Sequence, residues 1–368
     1  MILSRDELLI FDIVASLLLL FLATHYLFGA QELKSEHKRS QMIDFMKGIC
    51  IWQVVFFHAL DLVPISSAVE VKNFIIALSP LRLFFIASGY MLMVRYADNF
   101  SGKVYFRLVF LRIFLPYVIY TAFAALFLKQ RDNFGDFFLD VLLGRQNHFS
   151  LYFIPLLIQC YILFPLIRAA RNLLLNPFSL ALIMLFSFLV YQLNESTQQN
   201  VFGHNILSLA FCGRFLFYFI LGASLAKFDF EKGASPRHFW LFAGGYTVYI
   251  LAFFSLGYTW DTEFILPLFS FLGAIELYHH LKSIPSMERP LHWLSNYGKY
   301  SLVIYFLHAP VLFHFFAGFH NSLPLSLSVK YVFISTVSTL ACYAIGKPLM
   351  IGYHGAVKKL QTASASTI

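Results

Sequence analysis

Four basic side chains stand inside long apolar runs of this sequence: His58, Arg82, Arg214 and His308. Charged or strongly polar groups at such positions are costly in lipid and mark functional sites unless they pair within the protein. Taken singly, each suits an interhelical hydrogen bond. Taken together they call for a negative partner, and few acids share their depth. Asp61 and Glu70 fall toward one end of the apolar runs and Glu276 toward the other. A bound anion or an anionic transition state would fill that need. Glu276 and His280 in "IELYHH" stand at i, i+4 on one helix face beside His279, but no third ligand points to a metal.

The stretch "DFMKGICIWQVVFFHAL", residues 44–60, adds a geometry. From Lys47 to His58 is about 16 Å of helix rise and about 1100° of turn, roughly 20° past three full turns. Both side chains therefore project from one face. A long ligand could lie along that face, with its charged end at Lys47 and its reactive end at His58.

These residues must be held by membrane helices. The chain has 368 residues, is 59% hydrophobic and only 12% charged, with a mean hydropathy of +0.70. That composition excludes an ordinary soluble domain. A bilayer core needs roughly 20 apolar residues per helix. Eleven spans are expected, near 8–29, 43–62, 71–94, 105–128, 150–168, 178–193, 206–226, 238–257, 262–281, 297–317 and 326–346. The fold class is an all-α polytopic bundle. Its four cysteines lie in apolar runs with no CxxC pair and read as packing residues.

The net charge of +8 points to topology and not to nucleic acid. Of the 27 Lys and Arg, nineteen fall in alternate loops or at their edges, among them Lys34, Lys47, Arg95, Arg112, Arg168, Lys227, Lys299 and Lys347. Six fall in the other set. Cytoplasmic loops carry the excess, so the C-terminus is expected in the cytoplasm and the N-terminus outside. The acidic start "MILSRDE" and the basic "KSEHKRS" after the first span indicate an uncleaved helix, not a signal peptide. The final "QTASASTI" carries no pattern and is expected to lack structure.

Five segments together resemble the membrane acyltransferase-3 family. "DFMKGICIWQVVFFH" is similar to its first core helix, marked by Arg, ten residues and His; Lys47 stands where the family has arginine. "RLFFIASGYMLMVR" (82–95) resembles its FF-x-x-SG segment. "SLYFIPLLIQCYILFPLI" (150–167) resembles its aromatic and Y-x-x-x-P segment, with Ser150 at the family's His position and His148 two residues earlier. "RFLFYFILGASLAKF" (214–228) resembles its arginine-headed helix, and "YGKYSLVIYFLHAP" (297–310) its G-x-x-S-x-x-I-Y-x-x-H-x-P helix. The match runs in order from about 43 to 346. Residues 41–347 then form a ten-helix core, with 1–40 as an added helix and basic loop and 348–368 as a cytoplasmic tail.

The resemblance implies acyl transfer, usually of acetyl, from cytoplasmic acetyl-CoA to a hydroxyl of an extracytoplasmic or lipid-linked glycan. The "LYFIPLLIQCYILFPLI" segment is most similar to the exopolysaccharide-modifying branch. A bacterial inner-membrane location follows, with membrane lipids and the polysaccharide synthesis machinery as partners. No bound cofactor or metal is implied, since acetyl-CoA is a substrate. On this reading Lys47, Ser88, Gly89, Arg95 and Lys299 bind the acyl-CoA. His58 is the general base, an imidazole able to accept the proton of a sugar hydroxyl. Arg82 or Arg214 stabilises the developing oxyanion. His148, Tyr152, Tyr305 and His308 position the acceptor. Lys47 offers a point charge where arginine would offer a bidentate fork. An acyl-histidine intermediate on His58 is a second route. The rival class is a glycan or lipid transporter or flippase, which mid-membrane charges also suit.

Overall fold

The computed structural model describes residues 40–62, 80–127, 153–176, 213–228, 265–316 and 327–365, with isolated positions in 178–186 and at 230, 244 and 247. Among them every regular element is helical. The expected first span (8–29), the span at 238–257 and the outer stretch 129–149 lie outside the described residues or nearly so.

The first described helix, α1 (Gln41–Ala59), begins where Ser40 caps it: its hydroxyl accepts from the Ile43 amide at 3.2 Å, and Asp44 sits in the positive first turn. The chain continues through α2 (Pro80–Tyr96), α3 (Gly102–Val109), a π-helical turn (Phe110–Phe114) and α4 (Leu115–Phe127). Then come α5 (Phe153–Ala169), the short α6 (Arg171–Leu175), α7 (Gly213–Leu225) and α8 (Ile265–Lys282). The last are α9 (Glu288–Lys299), α10 (Ser301–Pro310) with a π-helical extension (Val311–Phe316), and α11 (Leu327–Ala365). Three helical stretches, 41–59, 102–123 and 329–356, are long and apolar enough to cross a membrane; 153–169, 215–225 and 301–313 are shorter apolar helices. The chain is an all-α membrane protein.

Two helix pairs cross backbone to backbone, and glycine permits both. A Cβ on Gly298 would fall 1.6 Å from the Asp44 carbonyl oxygen, and one on Gly48 2.2 Å from that of Leu294. With Ser295 donating to the Gln41 carbonyl at 3.2 Å, these contacts run α9 parallel to the first half of α1. In the second pair, Cβ atoms on Gly89 and Gly222 would each lie 2.0 Å from the carbonyls of Phe219 and Ile86. Without hydrophobic driving force in lipid, such close approach of backbones is a main source of helix association. Arg82 with Tyr218, Ile86 with Gly222 and Tyr90 with Phe228 rise together, so α2 and α7 are parallel.

Two expectations need adjusting. The expected span at 297–317 is broken at Tyr300 (φ −107°, ψ 15°), and residues 288–299 form a separate amphipathic helix on α1. Its Leu291, Ser295, Tyr297 and Gly298 are buried while Trp293 is exposed. The C-terminal stretch expected to lack structure is helical through Ala365. An existing helix propagates without a new nucleation cost, so a weakly patterned tail joins it. At 39 residues α11 is about 58 Å long, far beyond a bilayer core of about 30 Å.

Candidate functional site

Three helices contribute matching stripes to one cavity of about 360 Å³. From the start of α1 come Ser40, Ile43, Asp44 and Lys47; from the end of α2, Ser88, Met91, Leu92 and Arg95; from α3 and the π turn, Tyr105, Leu108, Val109 and Arg112. Each set follows the spacing i, i+3, i+4, i+7, which is one helix face. Tyr96, from α2, and Tyr161, from α5, complete an aromatic wall.

The cavity carries Lys47, Arg95 and Arg112 against one carboxylate, Asp44. That balance favours a polyanion, and arginine forks suit phosphate oxygens in particular. The apolar-aromatic side is rigid. The Tyr105 hydroxyl donates to the Tyr161 carbonyl at 2.7 Å, and the Ser88 hydroxyl shares a hydrogen bond with the Tyr161 phenol. Arg95 lies 5.3 Å from the Tyr96 ring. The neighbouring Arg168 and Arg171 are committed elsewhere: they donate to the Tyr96 and Ala97 carbonyls at 2.5 and 2.6 Å, closing the negative end of α2. The loop charges thus divide into helix caps and cavity cations.

At the other end of α1 lies a second polar group. His58 is in the last turn, and its ring centre is 5.2 Å from that of His308 on α10. His308 is fully buried; its Nδ1–H donates to the Tyr305 carbonyl one turn back, and Nε2 has no hydrogen-bond partner among the described residues. Ring contacts run on from His308 to Tyr305, Phe153 and Phe85, each step between 5.1 and 5.3 Å, and link α1, α10, α5 and α2. Arg82, one turn before Phe85, places its guanidinium 5.8 Å from the Tyr218 ring. Arg214 is in the first turn of α7, which begins at Gly213. By helix direction, His58, Arg82, Arg214 and His308 all lie toward one end of the bundle, opposite the cavity with Lys47 and Arg95.

The sequence-derived site therefore divides. Lys47, Ser88 and Arg95 meet in the cavity; His58, Tyr305 and His308 meet at the far end of α1. Gly89 faces the α7 backbone and not the cavity, so its close approach is to a helix. Lys299 is exposed, 5.7 Å from the Tyr300 ring and outside the cavity lining. His148, Tyr152 and the Arg214 side chain lie outside the described residues. Sequence reasoning counted Arg112 as a loop charge and passed over Tyr105 and Tyr161. The stripe Tyr105, Leu108, Val109, Arg112 was the signal that would have found the first two. The His279 Nε2–H donates to the Phe230 carbonyl at 2.7 Å. Among the described residues no three His, Cys, Asp or Glu side chains group as a metal site.

A family model described as an acyltransferase domain matches residues 41–347. No curated protein and no solved structure matches the chain.

Proposed function

The chain belongs to the membrane acyltransferase-3 family, and from that premise we propose that it moves an acetyl group from cytoplasmic acetyl-CoA to a glycan hydroxyl outside the membrane. An exopolysaccharide is the proposed acceptor and the bacterial inner membrane the proposed site. The observation that carries this reading is the two-ended α1. A cation-rich cavity surrounds Lys47 at its start, and an imidazole pair surrounds His58 about 16 Å further along the same helix.

Coenzyme A has the matching form, a polyanionic head on a long flexible arm. Its phosphates would sit against Lys47, Arg95 and Arg112, with the adenine on the tyrosine wall. The arm would run along α1 and bring the thioester to His58. There the imidazole takes the proton of the acceptor hydroxyl as its oxygen attacks the carbonyl carbon, and the thiolate leaves. Arg82 and Arg214, at the same end, would stabilise the tetrahedral oxyanion or hold an acidic sugar. Tyr305 and His308 would position the acceptor, together with His148 and Tyr152.

The test uses purified protein in lipid nanodiscs with acetyl-CoA, and cells with and without the protein. Saturable acetyl-CoA binding together with protein-dependent acetyl esters on the surface polysaccharide is the expected result. His58→Ala should lower ester formation about 10²–10⁴-fold, the range for loss of a general acid–base group. Near-normal acetylation by that variant would remove His58 from the mechanism. A protein that neither binds acetyl-CoA nor changes glycan acetylation would instead fit the transporter class.

A further inference from the structure

We infer that His308, in place of His58, is the base that takes the acceptor proton, and that His58 carries the acyl group itself, so that transfer proceeds in two displacements. The inference rests on the acyl-CoA reading above and adds the division of labour between two imidazoles.

The fixed tautomer of His308 is the starting point. Donation from Nδ1–H to the Tyr305 carbonyl places the ring proton on Nδ1, which leaves Nε2 as a lone-pair acceptor. That atom is fully buried and has no hydrogen-bond partner among the described residues. An unsatisfied acceptor in an apolar setting is costly, and its natural complement is a hydroxyl proton. The group is held in place by its own helix turn and by Tyr305, whose ring centre is 5.3 Å away. His58 sits 5.2 Å from it, centre to centre, and only half-buried. Of the two, His58 shares a helix with Lys47 and so meets the donor arm, whereas His308 is the oriented proton acceptor.

In the first displacement a ring nitrogen of His58 attacks the thioester carbonyl carbon. The C–S bond breaks, its electron pair leaves on the CoA thiolate, and an acyl-imidazolium remains on His58. In the second, the acceptor oxygen attacks that acyl carbon while its proton passes to His308 Nε2. The C–N bond breaks and returns its pair to His58. The His308 proton then neutralises the thiolate directly or through water, so that ester and free thiol are the products. A single imidazole would have to be acyl carrier and base at once; the pair separates the two tasks.

Isotope exchange tests this without isolating a labile intermediate. Purified protein in nanodiscs is mixed with acetyl-CoA and isotopically labelled free CoA, with no glycan present. The expected result is label appearing in acetyl-CoA with the wild type and with His308→Gln within about fivefold of it, and none with His58→Ala. In cells, His308→Gln should lower acetyl ester on the surface polysaccharide at least 100-fold. Retained exchange also serves as the proof that the variant is folded. A wild type that acetylates glycan but shows no exchange overturns the inference and leaves the acyltransferase reading intact. So does a His308→Gln variant that acetylates normally, or one that loses exchange and transfer in equal proportion. A wild type that neither acetylates glycan nor binds acetyl-CoA overturns the underlying reading instead.

Discussion

At the scale of single residues, Lys47 and His58 take separate tasks on one helix face in the proposed donor path. Lys47 meets Arg95 and Arg112 in the cavity, so on the proposed reading truncating it should weaken donor binding and leave the chemical step alone. Lys47→Ala is expected to raise the KM for acetyl-CoA about tenfold, the worth of one charge-assisted contact, with kcat within about twofold. Lys47→Arg should keep the KM within about threefold, because the guanidinium fork suits the same oxygens. Steady-state kinetics on the three proteins checks this, and an equal fall in kcat would place Lys47 at the reacting end. His58 and Lys47 were legible from sequence because helical periodicity fixes eleven steps to one face. His308 was legible as an intramembrane histidine, but not its tautomer, which depends on the Tyr305 carbonyl one turn back. Arg112 was hidden because its value comes from two other helices meeting its face.

At the scale of elements, the glycines of the motif segments show why sequence patterns persist in meaning but change in role. Gly48, Gly89, Gly222 and Gly298 sit where backbones cross, so they read as functional signatures and act as packing devices. Gly298→Ala would force α9 off α1, and about 1–3 kcal/mol of overpacking strain is expected. Thermal unfolding in detergent should show a clear fall in Tm, with expression reduced; an unchanged Tm would mean the two helices do not approach as closely as described. The π turn at 110–114 is a second case. Tyr353, on the long C-terminal helix, donates its hydroxyl to the Leu111 carbonyl beside Arg112. π turns leave carbonyls poorly paired and are often retained at functional sites. Tyr353→Phe should therefore raise the KM for acetyl-CoA about threefold with stability lowered by about 1 kcal/mol. An unaltered KM would separate α11 from the donor site. Neither the π turn nor the break at Tyr300 could be read from hydropathy, because both leave the apolar composition of their runs unchanged. The helical class itself was fully legible, since apolar length decides it.

At the scale of the whole molecule, the bundle is polarised. Lys47, Arg95 and Arg112 gather at one end, and the helix positions of His58, Arg82, Arg214 and His308 lie toward the other. On the proposed reading, the positive-inside bias would put the cavity end in the cytoplasm, on the side of the proposed acetyl-CoA donor. A cysteine placed at Lys299, on the same end as the cavity, should then react with membrane-impermeant maleimide only in inside-out vesicles. Labelling of intact spheroplasts from outside would reverse the orientation and the direction of transfer. The most direct test of the central claim, that the donor lies along α1 from cavity to histidines, is a cryo-electron microscopy map with a non-transferable thioether analogue of acetyl-CoA. The expected density has its phosphates within hydrogen-bond distance of Lys47, Arg95 and Arg112 and its terminal carbons against His58. Density elsewhere, or a head group seated at His58, would contradict it.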